Sequence, residues 1–591
     1  MATLATATPT PPAPAMTKWL APLASAGLLY LCFFPVAWAW LAWGAMVPVL
    51  CLVRLPGQPR WLKLAAYFGG LAFCLPAFQW FRVADPRMYF TWLALAFYIA
   101  VYWPLSVSVL RLLDRRTRLP LVLTFPVVWV GFEYVRWGVF GSFYSLLTGS
   151  HQHDLPGGFS WYYLGHSQHD FLELIQIADL VGVYGVSFLV AAANALLFEA
   201  LYRRDSLRQL ICGPAAMPGA TPRGLLLSGL ALAFCLLGAI GYGTWRVGEE
   251  TITLGPRVAL LQGNVPQGVR NESSGLPGLK REEASQKLLG HYSDLAYRAT
   301  DYQPDLIVWP ETSYPGGWVE VEPGKPNEYS RREIALKMIS VLRTSVLLGM
   351  TAIVADTEGG KPKMYNSAIL IGKDAAWKGR YDKIHRVPFG EYTPFGDAVS
   401  ILKHLAPYDN DWSVQPGLQH TRFDLGQYQF GVVICYEDTD PAMARPYVEP
   451  GQRPVDFLLN ISNDGWFDGT AEHDQHLAIC RFRAVETRRS IGRAVNMGIS
   501  AIIDSNGRVL DSTLNQHGDW EVPDDAGRLP VSRWHSFKKV SGVLVGRMPI
   551  DSRDSLYARI GDAFAIGCLA AMLLTVLVAR WRRPHEPATK N

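Results

Sequence analysis

The chain has 591 residues, 49% of them hydrophobic and 18% charged, with a formal net charge of +4. So small a charge on so long a chain, with no basic patch interleaved with aromatics, gives no reason to expect nucleic acid as a partner. Of the eight cysteines, five lie within apolar runs and none forms a C-x-x-C pair, so no disulfide framework or structural zinc is expected.

Residues 1–16, with TPTPPAPA, read as a disordered tail. Apolar runs follow at 19–34, 36–53, 62–81, 90–110, 119–140, 175–201, 225–245 and 558–579, which predicts eight membrane spans. The first two stand too close, with no small-residue cleavage site between them, to be a removed signal and a span. Cationic residues orient the set. Arg54, Arg60 and Lys63 follow the second run, Arg115, Arg116 and Arg118 the fourth, Arg203, Arg204 and Arg208 the sixth, and Arg580, Arg582 and Arg583 the last. Cationic loops stay cytoplasmic, so the large polar segment after the seventh run belongs outside. The resulting plan is a membrane domain over 17–246, an extracytoplasmic domain over 247–556, an eighth helix over 557–581 and a cytoplasmic tail over 582–591.

Within the fifth run Glu133 and Arg136 share one face of a helix, as a mutually satisfied pair or as a functional feature. The following loop, 141–173, carries HQHD and HSQHD. Its Gly, Ser and Tyr read as a polar outer loop, and a metal site is not expected.

From Thr251 the pattern changes to strand-like stretches alternating with amphipathic ones. Strands are predicted at 257–262, 305–308, 346–350, 367–371, 430–434, 457–461, 494–496 and 501–504, and helices at 282–300, 330–343 and 473–490. Ser505-Asn506-Gly507 is a hairpin turn signal. The alternation predicts a layered α/β domain. In the last helix Leu477, Cys480, Ala484 and Thr487 recur at helical spacing, so Cys480 reads as core.

Three stretches carry chemistry. In QFGVVICYED a buried-type strand ends at Cys435, where a nucleophile could stand. DLIVWPE is another apolar strand, ending on Glu311, and YDKIHRVPFGEY places Lys383 and Glu391 around a Pro-Phe-Gly turn. A thiol needs a base, which a carboxylate in an apolar pocket supplies, and a developing oxyanion needs a donor, which a lysine ammonium supplies. Glu437, two residues past Cys435 on an extended segment, would support the site by a hydrogen bond. Tyr436 offers a backbone N–H or an apolar wall. Trp466 in SNDGWFDG lines a groove or anchors its loop. Asn463 and Asp464 are candidate turn formers.

Together WPE, YDKIHRVPFGEY, ICYE and NISNDGWF resemble the nitrilase, or carbon–nitrogen hydrolase, superfamily. PFGEY and the membrane runs are similar to its membrane-bound branch, the apolipoprotein N-acyltransferases. The resemblance implies an αββα sandwich, a Glu311-Lys383-Cys435 triad, an essential second glutamate at Glu391, and no metal or cofactor. It also implies a phospholipid donor whose acyl chain passes through a Cys435 thioester to the α-amine of a diacylglyceryl-cysteine lipoprotein. The setting would be the bacterial inner membrane, with the catalytic domain periplasmic. The alternative is a membrane-tethered amidase or nitrilase using water. Residues 314–330 and 516–538, and GSHQHDLPGG, depart from the family pattern, and the second of these reads as surface elaboration.

Overall fold

The computed structural model describes residues 16–148, 158–212, 219–266, 279–327, 337–356, 360–393 and 413–581. Among them, five helical stretches are long and apolar enough to cross a membrane: Pro59–Ala84, Met88–Arg116, Val183–Tyr202, Pro222–Gly248 and Ala563–Trp581. They contain most of the third, fourth, sixth, seventh and eighth predicted spans. The fifth lies in a continuous helix, Leu121–Thr148, of 28 residues. The first two are shorter than expected. Thr17–Leu31 is a helix of 15 residues, and the second run breaks into a 3-10 turn, Ala39–Trp43, and an 8-residue helix, Val47–Arg54. At 1.5 Å per residue, eight residues rise only ~12 Å, far short of a bilayer. Glycines with positive φ trim two others: Gly182 (+69°) delays the sixth helix to Val183, and Gly561 (+56°) separates Leu556–Ile560 from the last helix.

Charged helix ends gather at one end of the bundle. Arg54 donates to Asp114 (3.0 Å) and Glu199 (2.9 Å), and Arg116 reaches the carbonyls of Ala579 and Arg580. The Pro222–Gly248 helix starts beside this group, with Ala220 N–H donating to Glu199 at 3.1 Å. It ends at the domain that follows residue 246, where Arg246 donates to the Asp554 carbonyl at 3.1 Å and to Asp179 of the bundle side at 3.0 Å. The cationic ends and the domain after residue 246 therefore lie at opposite ends of the bundle.

Among its described residues, the domain after residue 246 holds fifteen strands. They are β1 (Ile252–Gln262), β2 (Leu306–Val308), β3 (Gly317–Glu322), β4 (Lys325–Pro326), β5 (Ser345–Val354), β6 (Lys363–Ile371), β7 (Trp377–Asp382) and β8 (Arg422–Leu425). Then come β9 (Tyr428–Ile434), β10 (Phe457–Ser462), β11 (Ser490–Val495), β12 (Ala501–Ile503), β13 (Thr513–Leu514), β14 (Trp520–Glu521) and β15 (Gly542–Asp551). A 10-stranded sheet runs β13-β14-β15-β1-β2-β5-β3-β4, with β6 and β7 added beside β5; the second, of five strands, runs β12-β11-β10-β9-β8.

Side-chain alternation makes these sheets into layers. Along β1, Val258 and Leu260 join the core shared with Val432, Ile434, Leu459 and Ile491 of the second sheet. Ala259 and Leu261, pointing the other way, pack with Leu288 and Leu295 of the Leu279–Ala299 helix. On the far side lies the Ala471–Thr487 helix. Its Leu477, Cys480 and Ala484 join the inter-sheet core, whereas Ile479, Phe482 and Val485 pack with the membrane helices. The layering is helix, sheet, sheet, helix.

Several expectations change here. Residues 317–322 and 325–326 form strands that were not predicted, and within 516–538, expected as surface elaboration, Trp534 (1% exposed) and Phe537 (4%) enter the core. Residues 141–148 remain helical, and the HSQHD stretch is no outer loop: His166 and His169 are buried where the two domains meet. HQHD lies outside the described residues. Glu133 and Arg136 make no ion pair with each other. Glu133 accepts from Trp129 Nε1 (3.0 Å) and Leu164 N–H (2.7 Å), and Arg136 donates to the Trp161 carbonyl at 2.8 Å. Each holds the segment after residue 158 against the bundle.

Candidate active site

Three strand ends meet. The chain leaves β2 through Trp309 and Pro310 to Glu311, and Gly349 of β5 lets that turn lie flat. A Cβ there would stand 2.0 Å from the Pro310 carbonyl oxygen. Lys383 follows β7, its N–H still donating to the Asn366 carbonyl of β6 at 2.8 Å. Cys435 follows β9 at φ +52°, opening a 3-10 turn, Cys435–Thr439. A cysteine in the left-handed region is strained and must be held by its surroundings.

Glu437 supplies one hold. Its carboxylate accepts from the N–H groups of Ile434 (2.7 Å), Ile384 (2.6 Å) and His385 (2.9 Å), and from the Tyr381 hydroxyl (2.8 Å). It thereby ties the Cys435 turn to the residue after Lys383. Burial pushes its carboxyl above the ordinary value against those four bonds. Glu437 lies on a 3-10 turn rather than on the extended segment expected.

Glu311, Lys383 and Glu391 form one cluster. Lys383 Nζ donates to Glu311 Oε1 (3.2 Å) and Glu391 Oε1 (3.1 Å). Asn366 Nδ2 donates to the same two oxygens at 2.7 and 2.8 Å. The other oxygens are also engaged: Asn463 N–H donates to Glu311 Oε2 at 2.9 Å, and Val387 N–H to Glu391 Oε2 at 2.9 Å. Burial works against the Lys383 ammonium, but Glu311, Glu391 and the neighbouring Cys435 and Glu437 outweigh it and hold its pKa well above the ordinary value. The lysine is a fixed cation. Burial also pushes the half-buried Cys435 thiol up, with Glu311 adding to the rise and Lys383 and His476 opposing it. At rest it is a thiol beside a carboxylate, which is the arrangement a proton transfer needs.

The remaining predicted residues surround this cluster. The Tyr436 ring stacks on Trp161 of the membrane domain (centroids 6.3 Å, 5° between planes) and meets His385 edge-on at 5.1 Å. It is an aromatic wall. Trp466 lies half-buried in a 3-10 turn, Asp464–Phe467, whose Phe467 packs on Trp80 at 4.8 Å. Cys480 is fully buried in the helix Ala471–Thr487. The sequence reading missed Asn366; its signal was a polar amide inside β6, where Asn is disfavoured. It also missed a buried ring of Asp438, His476, Asp464 and Arg493 beneath the turn.

A carbon–nitrogen hydrolase domain matches over residues 257–519, so the class is a nitrilase-type domain carried on a membrane domain. Residues 25–196 match the apolipoprotein N-acyltransferase N-terminal domain. A relative from Geobacter metallireducens named apolipoprotein N-acyltransferase is 32% identical, over 92% of this chain and 92% of its own. Relatives of the same name from Rhodopirellula baltica (27% identical; 92% and 94% covered) and Ralstonia nicotianae (28%; 96% and 95%) are also similar. The chain belongs to the apolipoprotein N-acyltransferase family. Similar solved structures include a CN-hydrolase superfamily protein from Xanthomonas campestris (16% identical, TM-score 0.30, covering 54% of this chain and 97% of that one). Nit3 from Saccharomyces cerevisiae is another (15%, TM-score 0.33, 51% and 93%).

Proposed function

We propose that the protein transfers an acyl chain from a phospholipid to the α-amine of a diacylglyceryl-cysteine at a lipoprotein N-terminus, with Cys435 as nucleophile, Glu311 as base and Lys383 as oxyanion donor. One observation carries this reading: Glu311 and Lys383 are joined by a hydrogen bond beside a cysteine whose next residue, Tyr436, stacks on the membrane domain. A site built against the bundle suits substrates held in a bilayer.

Glu311 takes the Cys435 proton as sulfur attacks the ester carbonyl, and Lys383 donates to the oxyanion. Collapse breaks the ester C–O bond, Glu311 returns the proton to the departing lysophospholipid oxygen, and a thioester remains on Cys435. The acceptor amine then attacks that thioester. Glu311 takes the amine proton, the C–S bond breaks, and the proton returns to sulfur as the amide leaves. Glu391 supports the reaction by fixing Lys383. The setting proposed is the inner membrane, with the catalytic domain, 247–556, on the periplasmic side, consistent with the charged helix ends at the other end of the bundle. The same site suits an amidase in which water resolves the thioester.

The test incubates purified full-length protein with labelled phospholipid. A hydroxylamine-sensitive label on Cys435 that passes to a diacylglyceryl-cysteine peptide is expected. Release of the label to water alone would favour the amidase, and no label would reject both.

A further inference from the structure

Under the nucleophile turn lies a closed ring of charges. Asp438 belongs to the turn itself, and Asp464 to the loop whose preceding residue, Asn463, donates its N–H to Glu311 at 2.9 Å. Two cations bridge these acids. Arg493 of β11 donates from Nη1 to Asp438 Oδ2 (2.7 Å) and from Nη2 to Asp464 Oδ2 (2.8 Å). His476, on the Ala471–Thr487 helix, faces Asp438 Oδ1 with Nε2 (2.7 Å) and Asp464 Oδ1 with Nδ1 (3.2 Å). Asp438 and Arg493 are wholly buried, and Asp464 and His476 are 1% exposed.

We propose that His476, held as an imidazolium, and Arg493 are positioning residues that fix the nucleophile turn relative to the loop orienting Glu311 and place positive charge behind Cys435. The proposal rests on the reading of Cys435 as nucleophile and Glu311 as base. Ionised carboxylates only accept hydrogen bonds, so an imidazole with an acid on each nitrogen must donate from both. The ring reaches the turn a second time, because Arg493 Nη1 also donates to Asn460 Oδ1 (2.9 Å), whose amide donates to the Cys435 carbonyl (3.2 Å).

The other groups facing His476 fit this assignment. Glu472, on the same helix, stands 3.4 Å from Nδ1. Burial, with Asp464 beside it, pushes the Glu472 carboxyl up to about 7. Burial and Arg493 work against the imidazolium, but Asp438 and Asp464 prevail and hold its pKa well above the ordinary value. From the membrane domain the uncharged Trp161 ring approaches, at 5.5 Å. Asp464, Glu472 and His476 also have the make-up of a cation site. Arg493 already sits on Asp464, however, and both imidazole nitrogens are engaged.

The test measures iodoacetamide alkylation of Cys435 in the full-length protein, in detergent micelles, across pH 7–9, followed on its peptide by mass spectrometry. It needs no acyl donor, so it stands whatever becomes of the acyl-transfer reading. Each unit of thiol pKa is tenfold in thiolate, so His476→Gln should slow alkylation about tenfold. Loosening of the turn alone would expose the thiol and speed the reaction. Alkylation that is unchanged or faster in folded His476→Gln overturns the proposal. Glu472→Gln tests the same field should that variant fail to fold. Removing its negative charge should speed alkylation severalfold at pH 9, and no change or a slowing there would refute the coupling. Asp474→Asn, on the same helix but paired outward with Lys538, should leave the rate unchanged.

Discussion

At Cys435 the burial that raises the thiol's pKa is opposed by Lys383 and His476 and answered by a carboxylate able to take its proton. On the proposed reading, the nucleophile is made on demand. Cys435→Ser should abolish acyl-enzyme formation with the fold intact, because a serine hydroxyl is far less acidic. Cys480→Ser, in a packed helix, should be nearly silent. Hydroxylamine-sensitive labelling of both variants checks this, and a dead Cys480→Ser would move the nucleophile. Glu311→Gln should slow single-turnover acylation by at least ~10²-fold and Lys383→Met by ~10²–10³-fold. Wild-type rates in either would refute their roles. Glu311 and Cys435 stood out as polar residues at the ends of apolar strands, whereas Lys383 and Glu391 stood out only through the resemblance of their motif; the structure brings Glu311, Lys383 and Glu391 into one cluster. Asn366 and the charge ring were not singled out, since their meaning lies in partners from 12 to 55 residues away in sequence. No local pattern marks such pairings.

At the scale of elements, the Ala471–Thr487 helix shows what periodicity can and cannot reveal. Its Leu477, Cys480 and Ala484 face was readable as a core stripe, but the opposite face is buried too. A helix buried all round reads as polar or apolar according to which neighbour compensates its charges, and here that neighbour is partly the membrane domain. Arg488, just past its end, donates to Asp179 Oδ2 from Nε (2.8 Å) and Nη2 (2.6 Å), and the Tyr242 hydroxyl donates to Asp179 Oδ1 at 2.8 Å. Asp179 thus neutralises Arg246 and Arg488 from two domains at once. Asp179→Ala should destabilise by about 3–5 kcal/mol, the typical cost of leaving a buried charge without its partner. Thermal unfolding of the purified protein measures it. A variant melting within a degree or two of the wild type would show that water replaces the carboxylate. The sheets were legible for the same reason the helix's second face was not. The apolar runs in β1, β9 and β10 are local signals. β15, the antiparallel partner of β1, escaped because a glycine at 546 and an arginine at 547 interrupt its apolar run.

For the whole molecule, the question is whether the catalytic domain is a separable unit tethered to a membrane or one half of a shared structure. The sequence suggested the first, since the character of the chain changes sharply at Thr251. The packing favours the second. Freeing residues 251–555 would expose Ile479, Phe482 and Val485, which now pack with membrane helices. At about 1.5–3 kcal/mol for each large apolar side chain, this alone approaches the ~5–15 kcal/mol stability of a typical domain. The cut would also strip Arg488 of Asp179 and Arg481 of His169, whose Nδ1 lies 3.0 Å from Arg481 Nη1. Two buried cations would be left with only part of their bonding. The excised domain should therefore aggregate or melt far below the full-length protein, although Glu311, Lys383 and Cys435 all remain in it. Size-exclusion chromatography and thermal unfolding of the two forms side by side decide the matter. A monomeric, cooperatively melting 251–555 fragment would show that the interface is a docking contact. Activity of such a fragment on a micellar phospholipid equal to that of the intact protein would further remove the bundle from the reaction. Loss of fold on excision would instead mean that the bundle helps to build the site as well as to hold it near lipid, because the helix carrying His476 packs against both the sheets and the bundle.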